Sequence, residues 1–441
     1  MKLNLLPFQK PHAGRIERAL LQHRVAIDAS DPGTGKTYTA CAVAAMLGCP
    51  VVIVTPKATV PSWRKVAAGF GIVPLLVTNY ELVRRGRLPE CSKRGNCYTW
   101  NLPEDALLIF DECQKCKGRS SQNAALLVAA RRQHLRILLC SATAAENPLE
   151  MRAIGFALGL HAYHDFYSWA RRNGVEEGFY GLVFRGGADV LRSLHAQIFP
   201  ERGSRLRIAD IPEFPDTVVE ASVIETGKAK AIQKEYDRMK RELHRAERED
   251  DRETLAELAD AMQARRANAM TLVTRARQAI ELYKVPAMVE MAINALEEGM
   301  SVVILVNFTE TIAALGEALK CTERIVGGQT AAERQAVIDR FQRNESPVVL
   351  ANIQAGGVGV SLHDPTGTRP RLSIISPTFS AADLRQALGR VHRAGGAASI
   401  QKICFAAGTV EEHTAEVCAA KLANIDLLND GDMMPFPITT N

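Results

Sequence analysis

No apolar run in this 441-residue sequence is longer than a strand, which excludes an ordinary helical membrane span. The N-terminal stretch MKLNLLPFQKPHAGR has no signal-peptide hydrophobic core and runs straight into a helical pattern, so a cytoplasmic protein is expected. The ten cysteines show no disulfide framework; Cys41, Cys140, Cys404 and Cys418 fall inside apolar runs, as reduced core thiols do. One subset deserves weighing as a metal site: Cys91-x₅-Cys97, then Cys113-x₂-Cys116. Four thiols are enough for zinc, but the 91 to 97 spacing is not that of a knuckle. Cys113 also follows a carboxylate pair with another use, so zinc is the less favoured reading. Charge of one sign is not in large excess either. A net +5 and a pI of 8.6 permit a polyanionic partner without requiring one. With 47% hydrophobic and 23% charged residues, the chain reads as a soluble globular protein of two to three domains.

What is present begins at Ser30-Asp-Pro-Gly33-Thr34-Gly35-Lys36-Thr37. Glycines at 33 and 35 let the backbone take positive φ, so that successive N–H groups can face one concavity. Lys36 supplies a point charge for the β- and γ-phosphates of a nucleotide, and the Thr37 hydroxyl a ligand for Mg²⁺. Residues 36–47 suit a helix stopped by Gly48 and Pro50, which aims its positive dipole end at the phosphates. One departure stands out: Ser30 occupies the position where the phosphate-loop consensus has its first glycine. Upstream, Gln9 carries an amide able to read an adenine edge.

Downstream, apolar strands at 51–55, 74–80, 106–111 and 136–140 alternate with helical stretches, which predicts a parallel sheet with ligands at the strand carboxyl ends. The third of them ends in Asp111-Glu112. This places one carboxylate for the Mg²⁺ shell, partly through water, and one to orient and deprotonate an attacking water. The fourth ends in Ser141-Ala142-Thr143. Residues 150–215 lose this rhythm and read as a helical insertion with loops. Residues 227–299 have almost no proline or glycine and read as a helical hairpin. Its basic cluster (Lys228, Lys230, Lys234, Arg238, Lys240, Arg241) is read as a solvated face before a nucleic-acid contact.

Parallel-sheet rhythm returns at 301–308, 325–328, 348–352, 372–375 and 403–405. This half has no phosphate loop, but it contains Gly356-Gly-Val-Gly359-Val-Ser361 and Gln386-Ala-Leu-Gly389-Arg390-Val-His-Arg393. Arg390 and Arg393 are three apart, and on one helix face their guanidinium forks would suit the charge of a γ-phosphate in its transition state.

In this order the motifs resemble the two-lobed motor of superfamily 2 helicases and, within it, the Swi/Snf-type DNA translocases, over most of residues 5–425. Phe8-Gln9 is similar to the adenine-reading motif, Asp31 to Thr37 to motif I, Thr55-Pro56-Lys57 through Trp63 to motif Ia, and Thr78 to Glu81 to the next DNA-side turn. Asp111 to Lys117 resembles motif II in its DExH-x-x-K form, with Gln114 in place of the common histidine. Ser141-Ala142-Thr143 is similar to motif III in its general helicase form rather than the Swi/Snf Gly-Thr-Pro. Val302 to Phe308 resembles motif IV, Gln354 to Leu362 motif V, and Gln386 to Arg393 motif VI.

The resemblance implies an α/β fold of two RecA-like parallel-sheet lobes in tandem with helical insertions. Lobe 1 is expected over 1–155, a helical insertion over 156–215, a strand and helical hairpin over 216–299, lobe 2 over 300–430 and a tail over 431–441. ATP and Mg²⁺ are implied between the lobes, held by Gln9, Gly33, Thr34, Gly35, Lys36, Thr37, Asp111 and Gly359. Turnover is assigned to Lys36, Glu112, Gln386, Arg390 and Arg393. Backbone contacts to nucleic acid are assigned to Lys57, Asn79, Asn307 and Ser361. The expected partner is DNA, duplex or branched, bound without regard to sequence by a monomer, in a bacterial cell or phage-infected host. An RNA helicase using the same engine, and a non-hydrolysing nucleic-acid-binding protein, remain as alternatives.

Overall fold

The computed structural model describes residues 3–118, 120–178, 181–225, 227, 274–356, 360–378, 380–430 and 438–440. The basic cluster at 228–241, most of the expected helical hairpin and Gly359 lie outside these residues. The chain divides into two compact units. The first comprises Met1–Phe214 together with Arg393–Gly395 and Ala420–Phe436; the second comprises Pro215–His392, Gly396–Ala419 and Pro437–Asn441.

Among the described residues eleven strands belong to the first unit: β1 (Val25–Asp28), β2 (Val51–Thr55), β3 (Leu76–Asn79), β4 (Arg87–Leu88), β5 (Cys91–Arg94), β6 (Cys97–Trp100), β7 (Leu107–Asp111), β8 (Arg136–Cys140), β9 (Val175–Gly178), β10 (Gly181–Phe184) and β11 (Gly203–Ser204). Six of them form a sheet in the order β11-β1-β8-β7-β2-β3, every neighbouring pair parallel. Such a sheet needs cover on both faces, and the strand sequences supply it by alternation. Val52, Val54, Leu108, Phe110, Ile137 and Leu139 enter one core cluster. Their neighbours Val51, Ile53, Leu107, Ile109, Leu138 and Cys140 enter another. The helices Gln9–His23, Lys36–Leu47 and Val60–Gly69 pack into the second cluster, and Gln122–Arg132, Arg152–Leu158 and Ala188–Ile198 into the first.

Two expectations need correcting in this unit. The segment 156–215 is not simply helical: it contains the antiparallel hairpin β9-β10, and β11 adds to the edge of the parallel sheet beside β1. Only two residues long, β11 is too short to show a period of its own in the sequence. The end of the expected second lobe also divides, because residues 420–430 of the helix Val410–Asp430 group with the first unit.

Among its described residues the second unit has seven strands: β12 (Thr217–Ile224), β13 (Ser301–Val306), β14 (Arg324–Ile325), β15 (Val348–Asn352), β16 (Arg371–Ile375), β17 (Ser399–Ala406) and β18 (Ile438–Thr440). They form one parallel sheet in the order β14-β15-β13-β16-β17-β12-β18. The interior strand β13 is buried along its whole length, which accounts for its nearly uninterrupted apolar sequence. At its carboxyl end the buried Glu281 carboxylate accepts from the N–H groups of Asn307 and Phe308 and from Asn307 Nδ2. A second buried charge, Lys284, donates to both Glu411 oxygens at 2.8 Å, to Ser376 Oγ at 3.1 Å and to the Cys404 carbonyl at 3.0 Å. With all of these bonds made, an otherwise costly buried ammonium is tolerated. No described helix is long and apolar enough to cross a membrane.

Candidate nucleotide site

The loop after β1 turns at Gly33 (φ 86°) and Gly35 (φ 91°) and enters the helix Lys36–Leu47 as its sequence predicts. Glycine at 35 is required twice. Its φ is left-handed, and a Cβ there would stand 2.3 Å from Gln9 Nε2. That amide donates to the Thr34 carbonyl at 2.8 Å, while Gln9 Oε1 accepts from the Leu6 N–H at 2.9 Å. Gln9 therefore braces the loop itself, a role that its expected reading of adenine did not include. Lys36 Nζ donates to the carbonyls of Ser30 (2.7 Å) and Asp31 (3.1 Å), and Thr37 is half-buried at the start of the helix.

Ser30 now has an explanation. Its Oγ accepts from the Leu206 N–H at 3.0 Å and lies 3.1 Å from His12 Nε2, so the missing glycine is a hydroxyl cross-link. Beneath it, buried His12 lies 3.2 Å from Asp28 Oδ1 and 2.8 Å from Ser204 Oγ. Burial would push the Asp28 carboxyl up, but His12, then Lys36 and the bond to Ser30, hold it below the usual range. Arg205 closes the other side: it donates to the Ala29 carbonyl at 2.6 Å, meets Asp31 at 3.1 Å and pairs with Asp430. Burial opposes its charge, yet Asp31, Asp430 and Asp426 raise its guanidinium above the ordinary value. Neither the contact of His12 with Ser204 nor those of Arg205 were visible in the sequence, because each joins segments about 175 or more residues apart with no shared motif.

At the end of β7, Asp111 is buried. Its Oδ2 accepts from Thr55 Oγ1 (2.6 Å) and Trp63 Nε1 (2.7 Å), and its Oδ1 from the Glu112 N–H (3.1 Å). Burial and then the charge of Glu112 push its carboxyl up to about 6, against those hydrogen bonds and the charge of Lys36. Glu112 has a left-handed φ of 52°, a strained position for a residue with a side chain. Gln114 Nε2 donates to Glu112 Oε2 at 2.6 Å, and Ser141 Oγ donates to Gln114 Oε1 at 2.6 Å. Ser141 Oγ also accepts from the Thr143 N–H at 2.9 Å. A glutamine in the histidine position thus joins the two carboxyl-end motifs.

The arginines depart from expectation. The helix Ala381–Leu388 ends at Gly389, so Arg390 and Arg393 do not share a helix face. Arg390, with half-buried Gln386 one helix end away, folds in the second unit and donates to the Val360 carbonyl at 3.1 Å. Arg393 groups with the first unit, where the Ala394 N–H donates to the Gly33 carbonyl at 3.3 Å. Burial lowers the Arg393 guanidinium to about 10, while the charges of Glu112 and Tyr38 act in the opposite direction.

Among the nucleic-acid candidates, Lys57 is exposed just after β2, and Ser361 is half-buried with its carbonyl accepting from Gln342 Nε2. Asn79 is buried and caps the helix Tyr80–Val83 through the Leu82 N–H. Asn307 has to be withdrawn: its Nδ2 hydrogens go to Glu281 and the Pro377 carbonyl, leaving no amide donor for a phosphate. The cysteine quartet is also split by register. Cys91 pairs across from Trp100 and Cys97 from Arg94, which puts the two thiols on opposite faces of the hairpin. They therefore cannot share a metal ion.

The profile described as the helicase conserved C-terminal domain matches residues 284–395. A protein of Acanthamoeba polyphaga mimivirus, L364, named as a candidate ATP-dependent RNA helicase, is 31% identical over 467 residues, spanning 97% of this chain and 84% of that protein. The Gallus gallus DNA repair and recombination protein RAD54B is 30% identical over 128 residues, or 27% of this chain and 14% of that protein. Among solved structures, the Sulfolobus solfataricus SWI2/SNF2 ATPase core in complex with dsDNA aligns over 98% of this chain and 94% of that one, at 18% identity and a TM-score of 0.38, too loose a likeness to carry weight. Two parallel-sheet units bearing these motifs in this order, and a relative matched along nearly the whole chain, place the protein: it belongs to the helicase family and is a helicase-family ATPase.

Proposed function

We propose that this ATPase is driven by DNA, duplex or branched and of any sequence, and that it couples hydrolysis to translocation along that DNA or to its remodelling. The observation that carries the reading is the gathering of Lys36, Asp111, Glu112 and Arg393 within one unit, around a loop braced on three sides. In this proposal Gly33 to Thr37 cradle the phosphates, with Lys36 on the β- and γ-groups. The hydroxyl of Thr37 and the carboxylate of Asp111 are hard oxygen donors that fit Mg²⁺, which would neutralise phosphate charge. Glu112, held by Gln114, orients the attacking water and takes its proton. Arg393, with Gln386 and Arg390, answers the charge that develops on the γ-phosphate. Gly359 belongs to the same nucleotide set.

The test is steady-state ATPase with and without nucleic acid. Lys36→Ala and Glu112→Gln should remove turnover while leaving the circular dichroism spectrum intact, and wild-type rates in either would end the proposal. Duplex DNA should raise the wild-type rate several-fold. The name of the mimivirus relative favours a second reading, an RNA-driven motor, which stimulation by RNA in preference to DNA would establish.

A further inference from the structure

The hairpin strands β4, β5 and β6, inserted between β3 and β7, are used by none of the chemistry above. Residues 84–101 nevertheless hold five Arg or Lys (Arg84, Arg85, Arg87, Lys93, Arg94) against one Glu, nearly the whole +5 excess of the chain in eighteen residues. They are not on a loose loop. Trp100 Nε1 donates to the Leu126 carbonyl at 3.0 Å, the Trp100 backbone exchanges two bonds with the Gln133 amide, and Tyr98 OH donates to the Arg84 carbonyl at 3.0 Å. Gly86, with φ 60°, lets β5 approach so closely that a Cβ there would lie 2.0 Å from Lys93 Cβ.

Register sorts the side chains between two faces. Arg87 pairs with Ser92, Ser92 with Thr99, and Arg94 with Cys97; all five are exposed. The other face carries Leu88, Cys91, Tyr98 and Trp100, packed in the core cluster. A three-stranded sheet thus shows solvent two guanidinium forks and two hydroxyls, and Arg85, also exposed, lies two residues before Arg87 in the chain. Among the described residues neither Arg87 nor Arg94 forms an ion pair with a carboxylate. Forks and hydroxyls at strand spacing suit successive phosphates and carry no means of reading bases.

We propose that the outer face of this hairpin, through Arg87 and Arg94 with Ser92 and Thr99, is a docking surface for the phosphodiester backbone of a nucleic acid. The inference rests on the nucleic-acid-driven reading above and adds to it a contact that the helicase motifs do not contain.

The test measures binding of fluorescent duplex DNA, single-stranded DNA and duplex RNA across a salt series, for wild type and the double variant Arg87→Glu/Arg94→Glu. The wild type should bind. The variant should bind roughly tenfold or more weakly, on every substrate, with a log–log salt slope lower by about 2 on duplex DNA, since each phosphate contact contributes about 0.9. Wild-type affinity and slope in the variant overturn the docking surface alone, as does a loss confined to one substrate. A wild type that binds none of the three overturns the functional reading with it. Should the charge reversal lower the thermal midpoint, Arg87→Gln/Arg94→Gln decides, with the same direction expected and a smaller loss.

Discussion

Gln114 holds Glu112: its Nε2 donates to Glu112 Oε2 at 2.6 Å while its Oε1 accepts from Ser141. The general-base candidate is thereby aimed from outside its own strained backbone, by a side chain fixed at its other end. Gln114→Ala should leave the KM for ATP within about threefold and lower kcat by roughly 10- to 100-fold, since positioning of a base is a transition-state effect. Steady-state kinetics on the purified variant decide it; an unchanged kcat removes Gln114 from the mechanism.

Arg393 should separate binding from turnover. Arg393→Ala is expected to keep nucleotide affinity within a few-fold and to lose about 10³ or more in rate, the usual contribution of an arginine finger. Isothermal titration with a non-hydrolysable nucleotide, beside single-turnover hydrolysis, measures the two quantities. Lost affinity with normal turnover would assign Arg393 to ground-state binding.

The raised carboxyl of Asp111 predicts a pH effect of definite sign. Its folded value of about 6 lies above the ordinary 3.8, so between these values the folded state holds the extra proton. Stability contributed at this site is therefore present at low pH and lost as pH rises through about 6. An asparagine carries no such charge. From pH 5 to pH 8, Asp111→Asn should gain on wild type by an amount on the order of 1 kcal/mol in urea unfolding of the nucleotide-free protein. A difference that stays constant or narrows with pH contradicts the assignment.

In the second unit the Lys284 and Glu411 pair predicts strong non-additivity. Lys284→Met leaves a buried carboxylate without its cation and should cost about 3 to 5 kcal/mol, whereas Lys284→Met/Glu411→Leu should recover much of that loss. Urea midpoints of the two single variants and the double variant close the cycle, and simple additivity would show that the pair is not coupled.

What was legible in the sequence was whatever depends on neighbours along the chain. The apolar strands, the helix Lys36–Leu47 and the carboxylates at the end of β7 follow from local period and turn chemistry. Local reading failed where a breaker outweighed spacing: Gly389 ends the helix that was to align Arg390 with Arg393. It failed again where a polar side chain had a distant partner. Asn307 looked available for phosphate until Glu281 and Pro377 took its amide hydrogens. Ser30 looked like a lapse from consensus, because nothing near it announces Leu206.

That last contact bears on how the protein is made. The loop around Ser30 leaves the ribosome long before Ser204, Arg205 and Leu206, and Asp430 follows later still. A nascent chain, or a fragment cut at residue 155, carries the complete nucleotide-binding motif and none of these supports. A fragment ending at residue 155 should therefore hold the 30–37 loop less firmly than the full chain, which faster amide hydrogen exchange in that loop would show.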